Sequence, residues 1–386
     1  MRRCKHTCFL VLMALLPIIY MGCKKPYDPP LINSTASFLV VDGVINTNLT
    51  DSTIVKLSRT VPLSGKVSFK PETNAVVYIE TSEASYSLAE TSPGRYSTPP
   101  LTFSAPGGSY RVRIITSDGV KYDSDLVKAK LNPPIDSIGF TATPNYLQIY
   151  VNAHDPNNAT RYYRWEYQET WQFHAKYASD YVSDERTGLG VRQQQIYQCF
   201  GNNPSTTIVL GSTARLKEDV IYQSPVTEIP STSEKIETKY SILVRQYALT
   251  PEEFNFWQNL KKNTEQLGSV FDPQPSSGGG NIHCTSDPKI PVIGYIGATN
   301  IQQKRVFISN TQVPPAWFPN YPYAGCKMDT LHTADVPFIL VYPPIVYLAT
   351  HPWLGDNGLP KGFYYTTPEC ADCTLRGTTL QPEFWR

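Results

Sequence analysis

Apolar runs of strand length recur along the first third of the chain. Phe38–Ile45 is largely apolar, and Tyr110–Thr116 alternates apolar and polar residues, the pattern of a strand that buries one face. Asp118-Gly119 follows the second of these runs and predicts a tight hairpin turn. Short strands divided by Gly and Pro turns predict a β-sandwich of the immunoglobulin, fibronectin or carboxypeptidase-regulatory-like kind over residues 36–130.

A second β-rich domain is predicted over residues 134–386, after a Pro-containing linker. Its clearest strands are Tyr240–Tyr247 and Arg161–Gln168, the latter with Tyr163, Trp165 and Tyr167 on one face. Pro291–Ala298 and Lys304–Ser309 are predicted to form a hairpin or neighbouring strands. The last 75 or so residues show little periodicity, so we expect this irregular C-terminal segment to be stapled by disulfides.

One amphipathic helix is predicted at residues 251–267. Thr250 can cap it, Pro251 suits its first position and Glu253 completes a capping box. A stripe at helical spacing is predicted to pack on a sheet, with ligand binding as the alternative; it comprises Phe254, Trp257, Leu260, Thr264 and Leu267.

Residues 1–22 are predicted to be a secretory signal peptide. Basic residues at the start precede an apolar run, Phe9–Met21, and a helix of that length rises about 20 Å, too short for a hydrocarbon core of roughly 30 Å. Gly22-Cys23 closes the run and resembles the bacterial lipobox, in which the cysteine takes a diacylglycerol and becomes the mature N-terminus. An ordinary signal peptide with a chance cysteine is the alternative.

Residues 23–35 are predicted to form a lipidated tether, because Pro and polar residues there favour an extended chain. Two or more acyl chains would anchor the protein lastingly, whereas one chain would hold it only marginally. No later segment has 18 uninterrupted apolar residues, so no other membrane span is predicted.

Composition also favours an extracytoplasmic β-protein. Charged residues are only 17% of the chain, against about 25% in typical globular domains. The full chain carries +1, and residues 1–22 include three cations and no acidic residue. The remaining chain is therefore slightly acidic and lacks the basic excess that nucleic-acid binding needs.

Five cysteines remain once Cys4 and Cys8 leave with the signal peptide and Cys23 is lipidated. An oxidising compartment favours disulfides between them, and an odd number allows at most two bridges. We expect Cys326 to pair with one of the two cysteines of the C-terminal CxxC motif. The five candidates are Cys199, Cys284, Cys326, Cys370 and Cys373.

No motif of catalysis or cofactor binding stands out, so a non-enzymatic protein with no metal and no cofactor beyond the covalent lipid is expected. Two alternatives involve the CxxC motif: a zinc site with His283 and Cys284, which needs four converging ligands, and a redox site, which needs a cysteine at a helix N-terminus. A cluster of aromatic residues offers a platform for a sugar or peptide, or else the core face of one strand: Tyr163, Trp165, Tyr167 and Trp171.

Several short motifs follow one another in an order that resembles a known family. They are Phe38–Ile45, Gly107–Tyr110, Ser117–Gly119, Pro134–Ile138, Tyr240–Thr250, Gly268–Asp272, Gly280–Ile282, Gly294-Tyr295, Cys370-x-x-Cys373 and Pro382-x-Phe384-Trp385. Together they span nearly all of the chain after Cys23. The chain resembles the outer-membrane lipoproteins of the Bacteroidota that are catalogued as domain of unknown function 4249.

The resemblance implies a role rather than a chemistry. The genes of that family are often arranged with those of TonB-dependent receptors, so the resemblance implies a lipid-anchored outer-membrane accessory that helps a β-barrel receptor capture its substrate. Cell-surface exposure is expected, although Lys24 and Lys25 stand where acidic residues often mark surface export in this phylum, which leaves the periplasmic leaflet as an alternative. The alternative functions are a freestanding glycan- or peptide-binding protein of the adhesin kind and an uncharacterised enzyme.

Overall fold

β-Strands make up most of the computed structural model, which describes residues 37–61, 70–100, 107–184, 188–265, 280–317, 325–332 and 348–385. The predicted signal peptide, Cys23 and the tether at residues 23–35 lie outside these ranges. No helix among the described residues combines the length and the apolar character needed to cross a bilayer.

The strands of the first half are β1 Leu39–Asn46, β2 Thr53–Arg59, β3 Lys70–Pro71, β4 Val76–Glu80, β5 Ser85–Ser92, β6 Arg95–Thr98, β7 Ser109–Ile115, β8 Lys121–Ser124, β9 Val127–Lys128, β10 Ile135–Ala142, β11 Tyr146–His154 and β12 Tyr162–His174. Those of the second half are β13 Tyr181–Asp184, β14 Gly188–Val191, β15 Gln198–Pro204, β16 Val209–Ser212, β17 Val220–Pro230, β18 Lys239–Ala248, β19 Ile282–Cys284, β20 Val292–Thr299, β21 Gln302–Ser309, β22 Asp329–His332, β23 Leu348–Leu354 and β24 Pro360–Thr366. Helices α1 and α2 are Pro251–Glu265 and Pro368–Ala371, and short 3₁₀ helices cover Glu234–Ile236, Asn310–Gln312 and Cys373–Leu375. The prediction of a mainly β chain is confirmed.

The first sheet runs β19-β8-β7-β4-β5-β6-β2-β1-β20, with β3 beside β2 and β9 beside β7. Its inward residues alternate along each strand and form one apolar core, in which Leu57, Ile79 and Tyr110 are almost fully buried. This alternation is why the sequence pattern located β1 and β7 correctly.

Residues 281–299 complete the first sheet. β19 pairs antiparallel with β8 at one edge, and β20 pairs parallel with β1 at the other. Asn281 joins the two edges, because its side-chain amide donates to the Ile296 carbonyl at 2.9 Å and accepts from the Ile296 N–H at 2.8 Å. The sheet therefore closes on itself around its core.

The predicted pairing of Pro291–Ala298 with Lys304–Ser309 is wrong. The first segment forms β20 of the first sheet, whereas the second forms β21, which pairs antiparallel with β18 in another sheet. A period-two pattern shows which residues are buried but does not name the neighbouring strand, so the pattern could not separate the two segments.

Two further sheets face each other across a second core. One runs β10-β11-β17, and the other runs β15-β12-β18-β21 with β16 beside β12. Trp165, Tyr240 and Val151 are fully buried between them. Asn132 of the predicted linker hydrogen-bonds the β18 residue Gln246 and the loop residue Asn300, so the linker is tied to both sides. The division into two domains at this point stays a prediction.

Helix α1 confirms the helix predicted after Thr250. The Thr250 hydroxyl accepts from the Glu253 N–H at 3.2 Å, the geometry of an N-cap. Trp257 of the predicted stripe is buried in a third cluster with Val44 and Tyr247, and Phe254 and Leu260 pack against this cluster as expected. Phe256, which the stripe did not include, is buried there too, whereas Thr264 is exposed. The predicted last turn, beyond Glu265, lies outside the described residues.

Two disulfides hold the C-terminal part. Cys199 is bonded to Cys373, and Cys326 is bonded to Cys370, while Cys284 is buried and unpaired. The expected pairing of Cys326 with one CxxC cysteine is confirmed. This part also contains a sheet, β22-β24-β23. The sequence pattern did not reveal it because β22 is only four residues long and β23 and β24 contain Pro or Gly.

Candidate functional site

A cleft lies between the outer face of β1 and β2 and the outer face of β12 and β18, with α1 along one side. Its volume is about 590 Å³. A second hollow of about 320 Å³ adjoins it, and both are bordered by the same six residues. We call this continuous space the Arg164 cleft; the shared residues are Asp42, Lys56, Arg164, Glu166, Gln168 and Arg245.

Strand alternation turns these polar side chains toward the cleft. On β12, Tyr163 and Trp165 point into the second core, so Arg164 and Glu166 between and after them face the other way. In the ladder with β18, Glu166 lies opposite Arg245. A set of charged groups is thus placed on one face of two central strands.

The Arg164 guanidinium lies deep in the wall of the cleft and is only 5% exposed. Its Nη1 donates to Oε1 of Glu166 at 2.5 Å, and its guanidinium carbon stacks 4.1 Å from the Trp257 ring and 4.4 Å from the Tyr247 ring. Its Nε is buried and has no hydrogen-bond partner within the described part of the chain. A buried donor without a partner costs roughly 1–3 kcal/mol, so the wall lacks a hydrogen-bond acceptor at this atom.

Glu166 is fully engaged. Its second oxygen accepts from the Tyr247 hydroxyl at 2.8 Å. Burial acts to raise the pKa of Glu166, but the Arg164 charge and the Tyr247 hydroxyl outweigh burial and hold it below the ordinary value. Glu166 is therefore an ionised partner of Arg164 rather than a proton donor.

Glu253 of α1 lies behind the cleft wall, buried against β20. A Cβ at Gly297 would come within 2.5 Å of the Glu253 carboxylate, so a glycine there makes room for the acid. Burial raises the pKa of Glu253 to about 7, although the Arg164 charge, Trp257 and the Thr250 N–H act in the opposite direction. Near neutral pH this carboxyl is therefore partly protonated.

Stability should fall with rising pH because of Glu253. Its folded pKa of about 7 lies above the ordinary value of 4.5, so the folded protein keeps a proton that the unfolded chain releases. The stabilisation is complete below about pH 4.5 and is lost as the pH rises through 7, a difference of about 3 kcal/mol. Urea unfolding at pH 5 and pH 8 should show this loss in the wild type and little of it in Glu253→Gln. Parallel pH profiles for the two proteins would contradict the assignment.

The four aromatic residues singled out as a ligand platform lie in or against the second core. Tyr163 and Trp165 are fully buried, and they donate to Asp219 and, at 3.0 Å, to Gln246. Tyr167 and Trp171 are partly buried against the same core. The four rings share a strand face but form no open surface, although Trp165 and Tyr167 border the Arg164 cleft.

The sequence pattern alone did not single out the charged residues that lie between those rings. Arg164 and Glu166 alternate with Tyr163, Trp165 and Tyr167 on β12, and that alternation was the available signal. A charged residue inside an otherwise aromatic strand implies a second face with its own partners. Arg245 and Glu253 carried no comparable signal, because their neighbours come from distant segments.

The alternatives built on the CxxC motif do not form. Cys370 and Cys373 are each bonded to a different cysteine elsewhere in the chain, so they are neither a redox pair nor thiolate ligands. His283 instead contacts Asp125 at 3.1 Å. Within the described residues, no group of three or more His, Cys, Asp or Glu side chains is placed to hold a metal ion.

Comparison with known proteins identifies the family of this chain but no ligand or reaction. No curated protein matches. Among solved structures, the chain is similar to a putative carbohydrate binding protein from Bacteroides uniformis ATCC 8492, with 8% identity over 55% of this chain and 90% of that one. It is also similar to the chitinase ChiA74 from Bacillus thuringiensis, with 13% identity over 51% of this chain and 26% of that one. Both have a TM-score of 0.15, which supports no conclusion about fold or ligand.

The family model gives a clearer result. The model described as "Domain of unknown function (DUF4249)" matches residues 24–305. That stretch includes every strand and the helix that border the Arg164 cleft. The chain therefore belongs to the DUF4249 family.

Proposed function

We propose that this protein captures a ligand in the Arg164 cleft and works as a lipid-anchored, non-catalytic accessory of a TonB-dependent receptor at the outer membrane. The cleft carries the proposal. The volume of its main hollow, about 590 Å³, lies in the range of roughly 300–1,000 Å³ that is typical of small-molecule sites. Apolar rings of α1 form one side and oriented charged groups form the other, a combination that suits selective binding.

The place of action rests on the N-terminal sequence. The signal-like run and Cys23 favour attachment of a diacylglycerol at that cysteine and display of the rest of the chain outside the cytoplasm. The two disulfides support the same conclusion, because they form and persist in oxidising compartments. We propose the cell surface, with the periplasmic leaflet as the alternative.

A freestanding glycan- or peptide-binding protein remains the second candidate, but its main support has weakened. It rested on an exposed aromatic platform, and Tyr163 and Trp165 have no exposed surface to offer a sugar or a peptide. Any such ligand would have to use the Arg164 cleft instead. The two candidates therefore share a site and differ in whether a barrel is the partner.

Affinity purification of the tagged full-length protein from its native outer membrane, in mild detergent, tests the partner. We expect a TonB-dependent barrel in a stoichiometric amount, identified by mass spectrometry. Cys23→Ser is the control, because a chain without the lipid should leave the membrane fraction and lose most of the barrel. A tagged lipoprotein of unrelated sequence from the same membrane controls for non-specific capture.

Recovery of the wild-type protein without a barrel would contradict the accessory role. A barrel recovered equally well with the unrelated lipoprotein would contradict it as well. Binding of small ligands by the isolated protein would then favour the freestanding alternative.

A further inference from the structure

Among the described residues, the charged side chains that border the main hollow of the Arg164 cleft all have an ion-pair partner except Arg245. Lys56 contacts Asp42 at 3.1 Å, and Arg164 contacts Glu166. Glu265 accepts from the Ile208 N–H at 2.6 Å and lies 3.7 Å from Lys261. These contacts account for all the acidic groups that border the main hollow.

Arg245 is the cation of the main hollow that has no acidic partner among the described residues. It projects from β18 into both hollows and is partly exposed. Its neighbour across the ladder is Glu166, but both oxygens of Glu166 are already held by Arg164 and Tyr247. Within the described part of the chain, Arg245 has neither an ion-pair partner nor a side-chain hydrogen bond.

Arg164 adds a second donor without an acceptor. Its Nε is buried in the same wall and unpartnered, in a side chain that is 5% exposed. Buried donors are nearly always satisfied in folded proteins. Two arginines on adjacent strands therefore leave the wall short of acceptors, which an anion in the cleft would supply.

The opposite side of the cleft is apolar. Phe256, Trp257 and Leu260 of α1 face it together with Ile293 and Tyr295 of β20. A guanidinium presents its N–H groups as a planar fork that matches the two oxygens of a carboxylate. A ligand that satisfies both sides must join a carboxylate to an apolar body.

We infer that the Arg164 cleft binds a carboxylate-bearing small molecule, with its carboxylate on Arg245 and its apolar body against Trp257 and Phe256. This inference rests on the proposed capture function and names its ligand class. The carboxylate can belong to a free organic acid or to the C-terminus of a short peptide, because both offer the same two oxygens. The cleft volume of about 590 Å³ accommodates either.

Isothermal titration of the full-length protein in mild detergent tests the inference. The probes are 4-phenylbutyrate and its neutral amide, and the tripeptide Ala-Ala-Phe with a free or an amidated C-terminus. We expect each acid to bind at least ten times more tightly than its amide. The pair that binds more tightly identifies the source of the carboxylate.

Substituting Arg245 tests whether this residue binds the carboxylate. Arg245→Gln should weaken binding of the acids by about 10- to 100-fold and leave the weak binding of the amides unchanged, because only the charge-assisted contact is lost. The affinity of Arg245→Lys for the acids should lie between those of the wild type and Arg245→Gln, because lysine keeps the charge but lacks the planar fork of N–H groups. Arg215→Gln is the matched control, because Arg215 is exposed on a turn and borders neither hollow.

Equal affinity for acid and amide, or no binding of either acid at millimolar concentration, would overturn the inference. Unchanged acid binding by Arg245→Gln would overturn it too, with equal thermal unfolding midpoints showing that the variant is folded. The partner experiment is independent of these results. If a barrel co-purifies but the protein does not bind the acids, only the proposed ligand class is contradicted. If the protein binds the acids but no barrel co-purifies, only the accessory role is contradicted.

Discussion

Replacing Trp165 with alanine is expected to lower the free energy of unfolding by about 3–5 kcal/mol. The ring is fully buried and stacks on Tyr163 with 5.7 Å between ring centroids. It also fills the space above Gly211, where a Cβ would lie 2.5 Å from the ring. Alanine would leave a cavity in the second core. It would also remove the hydrogen bond that the indole N–H donates to Oε1 of Gln246, and that buried oxygen would lose its partner.

Urea unfolding followed by far-UV circular dichroism measures this loss. Trp165→Phe is the matched variant, because it keeps most of the apolar volume and removes only the N–H and one ring. It should lose clearly less stability than the alanine variant. A loss below about 1 kcal/mol for Trp165→Ala would contradict the tight packing described for this core.

Removing the disulfide between Cys199 and Cys373 should lower the free energy of unfolding by at least as much. The two cysteines are 174 residues apart and both are fully buried. A cross-link over a loop of that length restricts the unfolded chain by about 5 kcal/mol in the chain-entropy model. The double variant Cys199→Ala with Cys373→Ala should therefore unfold at a much lower urea concentration under non-reducing conditions.

The second disulfide provides the comparison. Cys326 and Cys370 are 44 residues apart, for which the same model gives about 4 kcal/mol. The pair of alanine substitutions there should be the milder of the two. A larger loss at the shorter loop would show that local packing, rather than loop length, governs the contribution of these bridges.

Secondary structure followed from the sequence wherever a strand buries a single face. β7 alternates cleanly and β18 alternates through its centre, from Ile242 to Gln246, and both were predicted. β17 was missed because Pro225 interrupts it, yet it pairs with β11 through two register shifts. It lies at the edge of its sheet, where a proline removes no essential ladder bond.

The Arg164 cleft could not be predicted in the same way. Asp42, Arg164, Arg245 and Trp257 come from four separate elements, and local patterns carry no information on which elements meet. Each charged residue looked like an ordinary solvent-facing position on its own strand. Only the tertiary arrangement shows that Glu166 is shared by Arg164 and Tyr247 and that Arg245 has no acidic partner among the described residues.

Closure of the first sheet by residues 281–299 has a consequence for the order in which the protein is made. Synthesis proceeds from the N-terminus, so β1 and β8 exist long before β20 and β19, which cover their edges. For that interval the nascent chain carries two open strand edges, which invite pairing with other chains. The first sheet can therefore be completed only after residues 281–299 have been made, even though most of its strands are the first to emerge.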